Sequence, residues 1–478
     1  MNHLSPFFNS TIAAVIFNHL SPFFNSTIAA VIFAMLLFPY YLLRKWKSRA
    51  SKGIPAPQPQ AAWPLIGHLP LLSGSDPPHI TLAALANTCG PLFSIRLGIQ
   101  FVPVVSCSKV GKELFTGVND VIVTFRPALV AGKLIGYNYA LFPFTPGGLY
   151  WRETRKISTL ELLSNRRLEL LKHIRNQEMQ QWFSDLSLNI LLRMIIGKKY
   201  FGAGADGDEK EGRQFQERTT TLLHYLGTLV LRDAAPFLGH LLDKWLQEHE
   251  RNRYFGEKSK EDQDFMDVLL SALDGKSIEG YDADTINKAV SLSMVAGNET
   301  IAVAMTWALA LLLNHKPVLR KAQKGLDEVI GKERLVNDKD ISKLVYLLAI
   351  VKGTLRLYPP AFISGPRQFT VDCNINTVVW PDPMVFKPER FLTTHNNVDV
   401  RSHKFEMLPF GGGRRACPGA SYALQIIHLT MATLLQSFEI STSSDAAIDM
   451  TPGVGLTNMK TTPLEVVFSP RLPLCCLE

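Results

Sequence analysis

A ten-residue segment near the end of the chain, Phe410–Gly419, places one cysteine in a setting that few folds provide. It reads F-G-G-G-R-R-A-C-P-G, so three glycines and two arginines precede Cys417 and a Pro-Gly step follows it. Apolar residues then recur at helical spacing from Ala420 to Phe438, which predicts a buried helix with Pro418 in its first turn. A cysteine at such a helix start gains from free N–H groups, the helix dipole and nearby arginines, all of which favour the thiolate.

The glycines add a second constraint, because a backbone without Cβ atoms can lie flat against a large planar group. A thiolate, a flat approach and cationic side chains that suit carboxylates together describe a haem iron with an axial cysteine. A buried structural cysteine in a glycine-rich turn is the alternative for this segment taken alone. No Lys-Ser or Lys-Thr follows the glycines, which excludes a phosphate-binding loop, and no second cysteine lies close enough for a zinc site.

The segment resembles the cysteine loop of the cytochrome P-450 family, the haem-thiolate monooxygenases, at every position of the pattern F-x-x-G-x-R-x-C-x-G. The residues that carry the match are Phe410, Gly413, Arg415, Cys417 and Gly419. The resemblance implies that Cys417 ligates the iron of haem b (iron protoporphyrin IX) and that Phe410, Arg415 and Gly419 help to bind the group. It also implies a mainly α fold with a small β-rich part, preceded by an N-terminal transmembrane helix.

The beginning of the chain predicts a membrane anchor. Residues 2–43 contain no Asp, Glu, Lys or Arg, and within them Phe23–Leu43 is long enough to cross a bilayer as a helix. A basic cluster follows directly, from Arg44 to Arg49. A cleaved signal peptide is the alternative, but the basic cluster comes after the apolar run rather than before it. We therefore expect a single-pass protein of the endoplasmic reticulum membrane with its catalytic domain facing the cytosol.

The predicted anchor, residues 1–43, contains a tandem repeat, since residues 2–17 recur without change at 18–33. Two copies are too few to build a solenoid, so the repeat indicates a recent duplication or an assembly error. Residues 44–69 are basic and proline-rich, and we interpret them as a hinge that proline stiffens. The remainder, 70–478, is the predicted haem-binding catalytic domain.

Charge and cysteine usage limit the partners and the compartment. The formal net charge is +8, which suits an anionic membrane surface or an acidic protein partner. No Lys/Arg stripe with interleaved aromatic residues is present, so we expect no nucleic acid partner. The six cysteines show no disulfide-framework spacing, which indicates a reducing compartment.

Two residues at the start of a predicted helix, Trp151 and Arg155, lie one turn apart and share a helix face. They match a W-x-x-x-R element of the family, and Arg367, at the end of Ser364–Arg367, matches a second arginine of the family. The resemblance implies that these three residues, with Arg415, hold the haem propionates. An amphipathic helix with a solvated arginine is the alternative for Trp151 and Arg155.

The longest apolar helical stretch after the anchor is Asp284–Asn314, and a helix of this length spans about the diameter of a domain. Midway, Ala296–Thr300 reads A-G-N-E-T and matches the family element A/G-G-x-D/E-T. We expect Gly297 to loosen the helix and Glu299 and Thr300 to act as catalytic residues that deliver protons to bound oxygen. A tolerated kink with one buried acid is the alternative.

The chain departs from the family pattern in several places. The helix motif E-x-x-R reads Gly353-Thr354-Leu355-Arg356 here, so the glutamate that joins the arginine of Lys387–Phe391 in a charge cluster is absent. Loss of one partner of a buried ion pair costs about 3–5 kcal/mol. Cys373–Trp380 is too short for the β-hairpin and short helix that the family places there. Two further stretches are also shortened, His173–Trp182 and Pro236–Trp245.

Two functions remain open at this point. The segment Thr159–Arg175 resembles plant microsomal members of family eighty-two, which implies insertion of one oxygen atom of O₂ into a small apolar plant secondary metabolite. Electrons would come from an NADPH-dependent cytochrome reductase. The alternative is a non-catalytic or pseudogene-like product that keeps the cysteine loop but lacks a competent haem pocket, given Gly353 and the shortened Cys373–Trp380.

Overall fold

The computed structural model describes residues 56–472 with gaps, of which the longer ones are 172–191, 202–204, 216–234, 256–262 and 362–384. Four predictions lie outside the described residues: the anchor with its repeat, the propionate role of Arg367, the shortening at Cys373–Trp380 and the shortening at His173–Trp182. The described residues from Gln58 onward belong to one compact unit.

Helices make up most of the described chain. In chain order they are α1 Leu69–Leu72, α2 Pro78–Cys89, α3 Ser108–Leu114, α4 Gly117–Ile122, α5 Val130–Leu134, α6 Leu149–Ile157, α7 Asn165–Leu170, α8 Ala235–Phe255, α9 Phe265–Leu273, α10 Ala283–Asn314, α11 Lys316–Val329, α12 Val345–Leu357 and α13 Ala420–Ser437. A π-helical turn, Ser158–Leu162, continues α6, and short 3₁₀ turns occupy Ile341–Lys343, Pro388–Phe391 and Gly413–Arg415.

The core is arranged around α10, whose predicted extent is confirmed to within one residue. The side chain of Asp282 caps its N-terminus by accepting a hydrogen bond from Thr285 N at 2.7 Å. Helices α8, α9, α12 and α13 pack on it, and Trp307 in its second half is fully buried. Among the described helices, α10 alone is long and apolar enough to cross a membrane, but most of it lies inside the protein.

The β part is small, as predicted. Strands β1 Leu92–Leu97 and β2 Gln100–Val105 pair antiparallel around Gly98, whose φ of +61° suits the tight turn. Strands β3 Phe438–Ser441 and β4 Val467–Pro470 form a second antiparallel pair. The family resemblance and these elements together confirm a mainly α fold with small β parts.

The end of the predicted hinge is packed against β1. Gly67 forms a β-bridge with Leu97, and the ring of His68 is fully buried and accepts a hydrogen bond from Arg96 N at 2.8 Å. The side chain of Arg96 donates to Trp63 O. Trp63, Gly67 and His68 are therefore held by the catalytic part of the chain.

α12 begins at Val345, because Leu344 has a non-helical ψ of 56° after the 3₁₀ turn Ile341–Lys343. The start of α13 differs from the predicted one. α13 begins at Ala420, so the placement of Pro418 in its first turn is wrong. Pro418 lies in the turn before the helix, because Cys417 N donates back to the loop rather than along a helix.

Candidate active site

The cysteine loop closes on itself through its backbone. Cys417 N donates to Phe410 O at 2.8 Å, which brings the two ends of the loop together. Between them, Gly411 and Gly413 have φ of +71° and +65°, the left-handed region that glycine enters without strain. Phe410 itself packs on the edge of the main apolar core. The local sequence therefore determines the shape of the loop.

Two of the loop glycines, Gly412 and Gly413, are also required by close contact with Phe115 and with α4. A Cβ at Gly412 would lie 2.6 Å from Cδ2 of Phe115, and one at Gly413 would lie 2.1 Å from Oδ1 of Asp120. The carboxylate of Asp120 accepts hydrogen bonds from Arg414 N with both oxygens, each at 3.0 Å. Asp120 thus holds the loop from a position 294 residues away in sequence.

The side chain of Cys417 is accessible, but its thiol lies among protein atoms. Burial raises the pKa of this thiol. The Gly419 N–H and the Arg155 guanidinium oppose that shift without reversing it. The expected preference for thiolate is therefore wrong for the protein alone, because the loss of hydration outweighs the two favourable contacts. A cation at the sulfur is what makes a thiolate stable there.

Three of the predicted binding residues lie together beside this cysteine. The guanidinium carbon of Arg415 lies 4.3 Å from the ring centroid of Trp151, and that of Arg155 lies 5.7 Å from it. Arg155 Nη1 donates to Ala416 O at 2.8 Å, and Arg415 donates from Nε and Nη2 to two backbone carbonyl oxygens. The predicted shared face of Trp151 and Arg155 is confirmed.

A distant carboxylate fixes the start of α6, the helix that carries Trp151. Glu279 accepts hydrogen bonds from Leu149 N at 3.2 Å and Tyr150 N at 2.8 Å, and Gly148 supplies no side-chain cap. Glu279 has a φ of +50°, which is unusual for a glutamate. The sequence gives no signal for Glu279 or Asp120, since each contact joins distant segments.

The middle of α10 is accessible although the helix is buried on both sides of it. Residues 296–300 are exposed or half-buried, whereas Val295 and Ile301 are buried. The helix is uninterrupted at Gly297, so the expected loosening is not found; Thr300 Oγ1 donates to Gly297 O at 2.7 Å. A Cβ at Gly297 would meet no atom within 4 Å, which shows open space beside it.

Glu299 lies in this accessible stretch, and its carboxyl group is largely desolvated. Burial raises the pKa of Glu299 to about 7, while the hydroxyl of Thr457 opposes the shift by donating to Oε1 at 3.0 Å. The second oxygen, Oε2, is buried and has no hydrogen-bond partner among the described residues. Near neutral pH, about half of the Glu299 side chains carry a proton.

Contacts through Phe142 connect this stretch of α10 with Trp151, one of the residues beside Cys417. The ring of Trp151 lies 6.4 Å from the ring of Phe142, and Phe142 N donates to Ser293 Oγ on α10 at 3.3 Å. Ser293 is about one turn before Gly297. Through Phe142, Trp151 is therefore connected to the stretch of α10 that precedes Gly297.

The residues beside Cys417 fit a haem group. The indole Nε1 of Trp151 is buried without a hydrogen-bond partner among the described residues, as a donor reserved for an acidic group would be. The guanidinium groups of Arg155 and Arg415 lie against the indole ring, and the accessible Cys417, near Arg155, offers a soft ligand. A planar group with two carboxylates and an iron matches this set of donors.

The structure also shows the arginines near Gly353, the position where the family motif has a glutamate. Arg356 Nη2 donates to Val385 O at 2.7 Å, and burial together with the charge of Arg390 lowers the pKa of Arg356. Glu389, the acidic residue of the same segment, bonds instead to Lys321 and Tyr346. The two arginines thus lie close enough to repel each other.

Comparison with known proteins agrees with this site. The Cytochrome P450 family profile matches residues 57–190, 219–379 and 373–467. The second and third pieces share residues 373–379, so the match breaks where Cys373–Trp380 is predicted to be shortened. A zebrafish cytochrome P450 solved with abiraterone superposes with a TM-score of 0.69 at 22% identity, covering 83% of this chain and 99% of that one.

Two relatives with assigned activities come from plants. Strychnine-10-hydroxylase of Strychnos nux-vomica is 44% identical and covers 92% of this chain and 95% of its own length. Flavonoid-6-hydroxylase of Mentha piperita is 41% identical, with 91% and 96% covered.

A pea relative carries the family number that the sequence resemblance suggested. Cytochrome P450 82A1 of Pisum sativum is 41% identical, with 87% of this chain and 92% of its own length covered. The alignment with the strychnine hydroxylase extends over 503 positions, more than the 478 residues of this chain, so that relative contains residues that this chain lacks. This chain belongs to the cytochrome P450 family, and it is a plant-type haem monooxygenase that resembles family 82.

Proposed function

We propose that this protein hydroxylates a small apolar, ring-containing plant secondary metabolite, with Cys417 as the axial ligand of haem b. The observation that carries the proposal is the accessible sulfur of Cys417 inside the protein, beside the unpartnered Nε1 of Trp151. The substrate class comes from relatives named for hydroxylating strychnine and flavonoids.

The residues that would hold the haem come from three segments. Cys417 would supply the ligand, and Phe410 and Gly419 would shape the loop around it. Trp151, Arg155 and Arg415 would bind the propionates, with Arg367 as a further donor by resemblance. When bound, the haem supplies the activation of O₂, and the thiolate donates electron density to the iron.

Glu299 and Thr300 are the proposed proton-delivering residues. Because the pKa of Glu299 is about 7, its carboxyl group can give and regain a proton near neutral pH. The acid form prevails below that pH and is lost as pH rises through it. We therefore expect coupled product formation to fall on the alkaline side of about pH 7.

Replacement of Thr300 by alanine tests this assignment. We expect Thr300→Ala to retain haem but to divert electrons to hydrogen peroxide, lowering the ratio of product to NADPH consumed by about tenfold. The measurement uses the full chain with a plant NADPH-dependent reductase, and strychnine and a flavonoid as trial substrates.

Thr306→Ala is the matched control, because Thr306 lies on the same helix and its hydroxyl makes a similar bond, to Ala302 O at 2.9 Å. An unchanged product ratio in Thr300→Ala, with haem retained, contradicts the proposed role.

The proposed setting is the cytosolic face of the endoplasmic reticulum membrane, with an NADPH-dependent cytochrome reductase as electron donor. Exposed apolar side chains near the N-terminal end of the described chain, such as Trp63 and Phe101 at 60% and 56% exposure, support contact with lipid. The exposed Lys112 and Arg414, on segments that meet at the cysteine loop, support an acidic protein partner.

Membrane attachment is tested by sedimentation of the expressed full chain. We expect it to pellet with membranes in high salt and to be released only by detergent, because apolar contacts are insensitive to ionic strength. A salt-washed chain that stays in the supernatant contradicts the proposed anchor.

The alternative of a non-catalytic product receives no support from the comparisons. The chain covers 95% of the length of the strychnine hydroxylase, and the cysteine loop, α10 and α13 are all formed.

A further inference from the structure

A loop after β3 reaches the middle of α10 at Glu299. Its ends are joined by the hydrogen bond from Thr461 N to Thr451 O at 3.1 Å, and Gly453 N donates to Met459 O at 2.7 Å. Thr457 and Asn458, near its tip, are 6% and 3% exposed. Polar side chains buried to this degree are nearly always hydrogen-bonded.

Asn458 fixes the position of this tip through three hydrogen bonds. Its carbonyl oxygen accepts from Trp307 Nε1 at 2.5 Å, which ties it to the fully buried side of α10. Its N–H donates to Pro360 O at 2.7 Å, and its side-chain Nδ2 donates to Pro359 O at 3.1 Å. The indole of Trp307 is in turn stacked on Tyr358, with ring centroids 4.1 Å apart. The tip is therefore held by both α10 and the segment after α12.

Thr457, next to this fixed residue, bonds to only one oxygen of the Glu299 carboxyl group. Oε1 accepts a hydrogen bond from the Thr457 hydroxyl group. In the neutral form of Glu299, the acidic proton therefore lies on Oε2. Oε2 has no partner among the described residues and is the oxygen left for proton transfer.

We infer that Thr457 is a positioning residue, whose hydroxyl holds Glu299 so that Oε2 carries the transferable proton. This inference rests on the proposed role of Glu299 and extends it to a residue outside α10. The hydrogen bonds of Asn458 fix the neighbouring Thr457 in place. Thr457 can therefore hold the Glu299 side chain without an ion pair, which would keep the carboxyl group charged.

The surroundings of Glu299 support this arrangement, since the described groups around it are neutral. Burial raises the pKa of Glu299 and the Thr457 hydroxyl lowers it, with no charged group contributing. Pro359 and Pro360 bear no charge, and Lys460 of the same loop donates to Asp449 O and Thr462 Oγ1. Loss of the Thr457 hydroxyl therefore removes the contact that, among the described residues, favours the carboxylate.

The test is a titration of the Glu299 carboxyl group in the full, haem-loaded chain by infrared difference spectroscopy. The protonated carboxyl band is assigned by its disappearance in Glu299→Gln. We expect a midpoint at about pH 7 in the unaltered protein and in Thr457→Ser. In Thr457→Val the midpoint moves to higher pH, and the alkaline limit of coupled product formation moves with it.

Thr457→Ala is a second variant that removes the hydroxyl without filling the space, so agreement with Thr457→Val identifies the hydroxyl as the cause. An unchanged midpoint in both variants overturns the inference. The proposed proton-delivering role of Glu299 is judged separately, because it fails if Glu299→Gln leaves product coupling intact, whatever the titration of the Thr457 variants shows.

Discussion

Cys417→Ser should abolish the thiolate-type absorption band of the reduced, CO-bound protein. The accessible Cys417 supplies the soft ligand, and a serine hydroxyl cannot supply comparable electron density to iron. The Arg155, Arg415 and Trp151 cluster remains in the variant, so residual haem binding is expected without the thiolate spectrum.

The matched control is Cys107→Ser, since Cys107 is a free cysteine that caps α3 by accepting from Val110 N. Serine is a good N-cap, so this variant should fold and keep the band at full intensity. Both spectra are recorded on the expressed full chain at equal protein concentration. A thiolate-type band that survives in Cys417→Ser would show that another residue ligates the iron.

The parts of this site that could be predicted from sequence are those whose determinants lie close together along the chain. The cysteine loop and the A-G-N-E-T segment of α10 each carry their residues within ten positions, and the helix period places Trp151 beside Arg155. The fold class followed from these motifs, because each belongs to one known architecture.

The remaining determinants are contacts between residues that are far apart in sequence, and no local sequence pattern predicts them. Asp120 holds the cysteine loop from 294 residues away, and Thr457 contacts Glu299 across 158 residues. The predicted preference of Cys417 for the thiolate form is also wrong for the protein alone. The charged residues near a thiol can be identified from the sequence, but the loss of hydration around it cannot. Similarly, the space beside Gly412 is filled by Phe115, which only the packed structure reveals.

Gly353 on α12 is where the chain departs most from its family, and the structure shows what a side chain would meet there. A Cβ at Gly353 would lie 3.0 Å from Cε2 of the buried Phe386, so that ring must shift by a few tenths of an ångström. Arg356, one turn later, and the buried Arg390 are near enough for the charge of one to lower the pKa of the other. A carboxylate between them would relieve that repulsion.

We expect Gly353→Glu to be more stable than Gly353→Ala by about 2 kcal/mol, the range of a hydrogen bond to a charged group. Both variants place the same Cβ against Phe386, so their difference isolates the carboxylate. Relative to glycine, alanine gains about 1 kcal/mol of helix propensity and loses a comparable amount to crowding. The measurements are the melting temperature and the haem content of the purified full chain.

Gly325→Ala separates helix propensity from charge and from crowding. Gly325 lies within α11, and a Cβ there would meet no atom within 4 Å, so the substitution should add about 1 kcal/mol with no change in haem content. Gly353→Glu should raise both stability and haem content, because α12 packs on α10 and on the 3₁₀ turn that carries Arg390. If Gly353→Ala matches Gly353→Glu in both measurements, backbone entropy rather than the missing carboxylate accounts for the cost of glycine at this position.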